Sequence, residues 1–221
     1  MSAVRHESIV GYEHEIRRLF WDNILIGHPL PFQLAARRAY ERLCLGWYLS
    51  NPQHSVVVIA DGRVVGYALV CANQVAHHRD QRLRTGRLVA SILLHMLIGQ
   101  FSVQSLRFYV LRARDSFAIT NSRHSIPTDI DVHAHVNIDF AHHNGVVALS
   151  LRKHIDSVCR HTSRAGWFGE MNAVGGKRIV GIRRVVGDVV ATDRNHTLSW
   201  LLEEHVERLT TVRRTVQEVA A

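Results

Sequence analysis

Residues 55–71, SVVVIADGRVVGYALVC, constrain the fold more than any other stretch of the chain. Two β-branched runs flank Asp61-Gly62, a dipeptide suited to a type I′ turn because both central positions require positive φ. The stretch predicts a tight antiparallel hairpin, so the chain must build a sheet around it. The sequence ahead of it is helical. Tyr12, Ile16, Leu19, Phe20 and Asn23 fall at helical spacing within 12–26 until Gly27-His28-Pro29 stops the run. Tyr40, Leu43, Cys44, Trp47 and Tyr48 repeat the pattern, and Asn51-Pro52 ends the second helix.

Beyond the hairpin, residues 73–127 are rich in Arg and show no strand alternation. Apolar spacing at Leu88, Ile92, Leu93, Met96 and Leu97, and again at Val103, Leu106, Val110 and Leu111, predicts two or three helices inserted between two strands. Their apolar residues are expected to bury as a cap against the sheet. The most apolar window, Leu88 to Ile98, has about half the ~20 residues of a membrane span and contains His95, so it predicts a buried helix. The stretch 121–129, NSRHSIPTD, reads as a loop. A strand returns at 132–140, where Ala134, Val136, Ile138 and Phe140 alternate with His133, His135, Asn137 and Asp139. A turn at 141–145, a helix over 146–163, a strand at 166–171 and a helix near 177–186 follow. Strands are expected near 188–192 and 196–202. The closing charged segment fits strand or helix equally.

Composition bounds the remaining possibilities. With 221 residues, 47% hydrophobic and 21% charged, the chain carries enough apolar material for a full core, which excludes a disordered protein. It reads as one domain, 1–221, with 73–127 as its insertion. The formal charge of +8 raises encounter rates with any polyanion without choosing among them. Of the 27 basic residues only Lys153 and Lys177 are not Arg, a skew that base composition explains as well as binding. No helix-turn-helix, zinc finger or aromatic RNA platform supports a nucleic-acid partner. Cys44, Cys71 and Cys159 lie far apart with no C-x-x-C spacing, and the charged start MSAVRHESIV lacks a secretory core. These features predict buried thiols in a cytoplasmic, reducing setting.

The order helix, helix, hairpin, insertion, strand, turn, helix, strand, helix, strands resembles the GNAT N-acetyltransferase superfamily. IADGRVVGYALV is similar to that family's hairpin. HAHVNIDFAHHNGVVALSLRKHID is similar to its central strand followed by a (Gln/Arg)-x-x-Gly-x-(Gly/Ala) turn at a helix N-terminus. The resemblance covers the chain outside 73–127 and implies a mixed α/β fold and an acyl-CoA-dependent N-acyltransferase. Acetyl-CoA, or another acyl-CoA, would be the co-substrate and an amine of a small molecule or protein the acceptor. It leaves a homodimer open and implies no membrane partner. In the phosphate turn His142 falls on the Gln/Arg position, Gly145 on the first Gly and Val147 on the Gly/Ala position. The implied cofactor-binding residues are Val136, Asn137, Ile138, His142, His143, Asn144, Gly145, Val146, Val147 and Asn172. A helix N-terminus supplies the unpaired N–H groups and partial positive charge that a pyrophosphate needs. The family's Asn-x-x-Ala-x-x-x-Tyr-x-x-x-Gly-Phe is matched at Asn172, but Arg183 replaces the Tyr that protonates the leaving thiolate and Asp188 replaces the Phe. That departure, with Val147, suggests as an alternative a CoA-binding or structural relative without catalysis.

Acetyl transfer to an amine needs a proton acceptor and a donor that polarises the thioester carbonyl. The resemblance places the donor among the backbone N–H groups of Val136 to Ile138. His135, Asp139 and Glu170 are the candidate bases. Glu170 reads either as a buried carboxylate with a raised pKa or as a solvated edge residue. His133, His135, His142 and His143 could supply imidazoles to a metal, but sixteen histidines make close pairs common and no further ligand stands at set spacing. No metal is assigned. Trp21, Asp22, His28 and Phe32 are candidates for an acceptor-side wall, and Cys159 reads as a core thiol.

Overall fold

The computed structural model describes residues 4–142 and 145–215. In chain order it contains β1 (Arg5–Ser8), α1 (Glu13–Asp22), α2 (Arg37–Ser50), β2 (Val56–Ala60), β3 (Arg63–Cys71), α3 (Gln74–Leu97) and α4 (Val103–Ser122). These are followed by β4 (Val132–Ile138), α5 (Val146–His161), β5 (Gly166–Val174), α6 (Gly175–Val185), β6 (Asp188–Arg194), α7 (His196–Leu201) and β7 (Val206–Arg214). Among the described residues the strands form one seven-stranded sheet in the order β1-β2-β3-β4-β5-β7-β6. Every neighbouring pair is antiparallel except β4 and β5.

The expected hairpin is β2–β3, and Asp61 and Gly62 both take positive φ at its turn, 49° and 73°. Its residues alternate between two cores. Val57, Ile59, Tyr67, Leu69 and Cys71 join α1, α2 and Phe108 of α4 in an aromatic-rich cluster on one face. Val56, Val58, Ala68 and Val70 pack with Val147, Leu151 and Ile155 of α5 on the other. Burial on both faces explains why these strands are β-branched throughout rather than alternating with polar residues.

Residues 73–127 do form helices between two adjacent strands, β3 and β4. Asn73 Oδ1 accepts the Ala76 N–H at 3.1 Å to start α3, and Ser102 Oγ accepts the Ser105 N–H at 3.1 Å to start α4. α4 lies over the β5–β7–β6 half of the sheet, where Thr210 donates to Ser122 Oγ at 3.1 Å and Phe108 enters the aromatic core. α3 packs instead on α2. The expectation that the window Leu88 to Ile98 is buried fails. Leu88 is buried, but Leu93, Leu94, Met96, Leu97 and Ile98 are exposed, as are Val103, Leu106 and Val110. The C-terminal turns of α3 direct Ser91, Ile92 and His95 toward the protein and leave Leu93, Leu94, Met96 and Leu97 on the outer face. No helix there is long and apolar enough to cross a membrane.

Several boundaries differ from the sequence reading. β1 was not expected and pairs at the edge of β2. α1 stops at Asp22, where Asn23 donates its side-chain N–H to Leu19 O at 3.1 Å. The strand expected at 132–140 ends at Ile138, and the loop expected from 121 starts later because α4 continues to Ser122. The strand expected near 196–202 is the helix α7. Asn195 Oδ1 accepts the Leu198 N–H at 3.0 Å, while the Asp115 carboxylate of α4 accepts the His196 and Thr197 N–H groups at 2.8 and 3.0 Å. A carboxylate reaching across from another helix satisfies this first turn, and local periodicity does not register it. The undecided closing segment is β7, an interior strand between β5 and β6.

Candidate active site

The parallel strands β4 and β5 pair only at Val132 with Trp167 and at His133 with Phe168, and then part. β3 holds β4 from His133 to Ile138 on one side, and β7 holds the whole of β5 on the other. The gap therefore opens inside the sheet and not at its edge. A cavity of about 540 Å³ passes through it. His135, Val136, Asn137 and Ile138 line one bank, and Glu170, Met171 and Asn172 line the other. On the α5–α6 face the cavity reaches Gly145, Ala148, Arg152 and Arg178. On the opposite face it reaches Phe20, Asn23, Tyr40, Phe108 and Arg112.

The backbone of β4 has a defined sense. Asp139 N–H donates to Val65 O at 2.8 Å, so the odd-numbered residues of β4 bond to β3 and the even-numbered ones turn toward β5. The Val136 N–H consequently faces the gap. At the cavity's α5 end Gly145 caps the helix with φ 80°, and a Cβ there would meet nothing within 4 Å. The backbone leaves a clear approach to the first turn of α5. Val147 does not crowd it, because its side chain is 3% exposed and packs against the sheet in the core.

The polar face of β4 meets Glu170 in a connected network. His133 Nε2 lies 2.9 Å from Glu170 Oε2, and its Nδ1 lies 2.7 Å from Tyr48 Oη. A carboxylate only accepts, so Nε2 donates to Glu170 and, on a neutral ring, Nδ1 accepts the Tyr48 hydroxyl. Arg123 donates to Glu170 Oε1 through Nε and Nη2, both at 3.3 Å, and through Nη1 to His78 Nε2 at 3.2 Å. Burial alone would push the Glu170 carboxyl up, but the neighbouring His133 and Arg123 outweigh it and hold the pKa at about 2. This corrects both readings of Glu170: it is neither a carboxyl with raised pKa nor a solvated edge residue. His135 carries no such partner. Burial, reinforced by His133, lowers it to about 4 against the opposing pull of Glu170. Its ring is neutral at pH 7.

Other expected residues separate from this centre. Asp139 leaves the cavity, and its carboxylate accepts the Ala141 N–H at 3.0 Å in the turn after β4. His142 lies in that turn and does not line the cavity, while His143 and Asn144 fall outside the described residues. Asn172 lies inside β5, not at the start of a helix, and its Oδ1 accepts Asn195 Nδ2–H at 2.8 Å. Trp21, Asp22, His28 and Phe32 do not line the cavity; Trp21 instead donates to Glu41 at 2.8 Å. Arg183 is exposed on α6. Cys159 is a core thiol, pushed up to about 12 mainly by burial. Among the described residues no group of three or more His, Cys, Asp or Glu is arranged to hold a metal. The sequence reading missed Tyr40, Tyr48, Arg112 and Arg123, whose positions depend on helix packing and not on a motif.

The parallel neighbours β4 and β5 part around a through-going cavity, with a helix N-terminus at one mouth, in an open mixed α/β fold. No protein-family model matches the sequence, and no curated protein matches it. Solved structures do. The fold is similar to that of a polyamine N-acetyltransferase from Drosophila melanogaster, with TM-score 0.53, 13% identity and coverage of 96% of this chain and 100% of that one. It is also similar to an N-acetyltransferase from Staphylococcus aureus, with TM-score 0.53, 9% identity and coverage of 97% and 100%. A third is the GNAT superfamily phosphinothricin acetyltransferase from Sinorhizobium meliloti in complex with acetyl-CoA, with TM-score 0.51, 12% identity and coverage of 100% and 91%. The chain has the fold of the GNAT-superfamily acetyltransferases, in a sequence far diverged from these neighbours.

Proposed function

We propose that this protein is an N-acyltransferase that moves an acyl group from acetyl-CoA, or another acyl-CoA, to an amine. The parting of β4 from β5 carries the proposal. It leaves a channel through the sheet for the pantetheine arm, delivering the thioester from the α5–α6 face to the opposite lobe. Gly145, Val146 and the first turn of α5 receive the pyrophosphate, with Arg152 and Arg178 on the same wall. The Val136 N–H points into the gap and polarises the thioester carbonyl.

The amine attacks the carbonyl carbon, the C–S bond breaks, and the amine proton must leave. His135 is the better acceptor of the two groups lining the gap, because it is neutral and outside any ion pair. The fixed negative charge of Glu170 supports its protonated form. The thiolate takes its proton from water. His133, Tyr48 and Arg123 act through Glu170 by fixing its orientation.

Calorimetric titration with acetyl-CoA and free CoA, followed by thiol-release assays over a panel of amines, tests the proposal. Binding with turnover supports it. No binding to either sinks it. Binding without turnover on any amine favours the non-catalytic relative, a reading to which the engaged Glu170 and the absence of tyrosine after Tyr109 lend weight. His135→Ala is expected to lower turnover roughly 10²-fold, the scale of a positioned base, and Glu170→Gln to lower it less, through loss of the charge that supports the protonated ring. Full turnover in both variants removes the assignment.

A further inference from the structure

The lobe of the cavity beneath α4 is lined by a cation, and among the described residues Glu170 is the one carboxylate that lines the cavity. Arg112 lines it, with the guanidinium carbon 6.0 Å from the Tyr40 ring centroid, and among the described residues it forms no ion pair. Arg208 stands on β7 directly opposite the cavity residue Asn172, only 3% exposed. Among the described residues none of its three side-chain nitrogens has a hydrogen-bond partner, and its ion pair with Asp193 is a long one, at 3.7 Å. Of the nearby acids, Asp193 faces Arg208 itself, and the other two are occupied. Glu170 is held by Arg123 and His133, and Asp115 accepts from the His196 and Thr197 N–H groups and from the Thr197 hydroxyl at 2.6 Å.

A guanidinium that lines a cavity with no carboxylate paired to it, as Arg112 does, is a costly arrangement that a bound anion relieves. A cationic lobe also repels an ammonium that brings no negative charge of its own. We infer that the acceptor is an amine carrying a carboxylate, an amino acid or close relative, whose carboxylate is held by Arg112 with the charge of Arg208 behind it. The planar carboxylate matches the guanidinium fork. The amine end then faces His135 and Glu170, on the two banks of the gap through which the thioester emerges. This inference rests on the acyltransferase reading and specifies its substrate class.

The test pairs each amino acid with its decarboxylated amine, for example phenylalanine with phenethylamine and leucine with isopentylamine, and adds the aminophosphonate analogue. Thiol release and calorimetric titration of the CoA-loaded protein are both measured. The carboxylate member of each pair is expected to exceed its amine at least 100-fold in kcat/KM, and the aminophosphonate to fall below it. Arg112→Gln is expected to collapse that ratio toward one, and Arg112→Lys, which keeps the charge without the fork, to leave an intermediate ratio. Each variant is compared at matched acetyl-CoA occupancy, with circular dichroism confirming the fold. Preference for the decarboxylated amines, preference for the phosphonate, an unchanged ratio in folded Arg112→Gln, or no carboxylate ligand binding to CoA-loaded protein overturns the inference. The acyltransferase reading fails separately, by loss of acetyl-CoA binding.

Discussion

Replacing Glu170 with Gln removes one negative charge from between Arg123 and His133 while keeping the side chain's volume. The carboxyl is held at about 2 against an ordinary 4.5, so its ionised form is stabilised in the folded protein. Each pKa unit corresponds to about 1.36 kcal/mol, which puts the contribution of ionised Glu170 on the order of 3 kcal/mol at pH 7. The folded pKa is depressed, so this stability is fully present above the unfolded value and is lost as pH falls through the folded one. By linkage it is about 2 kcal/mol at pH 3.5 and below about 1 kcal/mol at pH 2. Glu170→Gln should therefore unfold earlier in urea at pH 7, with unchanged m-value and a melting temperature lower by about 6–12 °C for a chain of this size. The gap between the two proteins should narrow steadily as pH falls below 4.5. A gap that stays constant from pH 7 to pH 3, or no gap at pH 7, would falsify the ion-pair account of this residue. In that case the carboxylate is solvated in solution and the network linking Tyr48, His133 and Arg123 does not hold it.

Three further outcomes can be measured. Gly145→Val places a branched side chain at φ 80° and over the first turn of α5. It should weaken CoA binding at least tenfold, about 1.4 kcal/mol by calorimetry, and an unchanged affinity in a folded variant would remove the phosphate turn. His135 is neutral above about pH 4, so if it accepts the amine proton the acidic limb of the enzyme's own pH–rate profile lies near that value. A limb near 6.5, with the ring titrating as in water, would place His135 outside the buried gap. Leu97, 84% exposed at the end of α3, should tolerate Leu97→Glu within about 0.5 kcal/mol. Phe108→Ala in the aromatic core should cost about 3–5 kcal/mol in denaturant unfolding, and similar costs for the two would show that α3 is covered in solution.

The local elements were legible where a short-range rule governs them. Asp61-Gly62 specified the hairpin because its turn chemistry lies within the dipeptide. The alternation of His133, Ala134, His135 and Val136 specified a strand with one polar face, since side-chain direction in a strand follows from period alone. Gly145 marked the start of α5 through its backbone freedom. Helical spacing likewise located α3 and α4, but spacing records only which residues share a face and not whether anything covers it. Leu93, Met96 and Leu97 share a face that remains open.

Tertiary structure decided what depends on distant partners. α7 is helical because Asp115, from α4, satisfies its first N–H groups, and β7 is a strand because β5 and β6 pair with it on both sides. The gap exists because β3 and β7 draw β4 and β5 apart after two paired positions, a feature of the whole sheet that no segment encodes alone. The ionisation of Glu170 belongs to the same class. The sequence supplies a carboxylate in a strand, but its pKa is set by partners 37 and 47 residues away along the chain. Only folding brings His133 and Arg123 within hydrogen-bond distance, because electrostatic energy depends on separation in space and not on position in sequence.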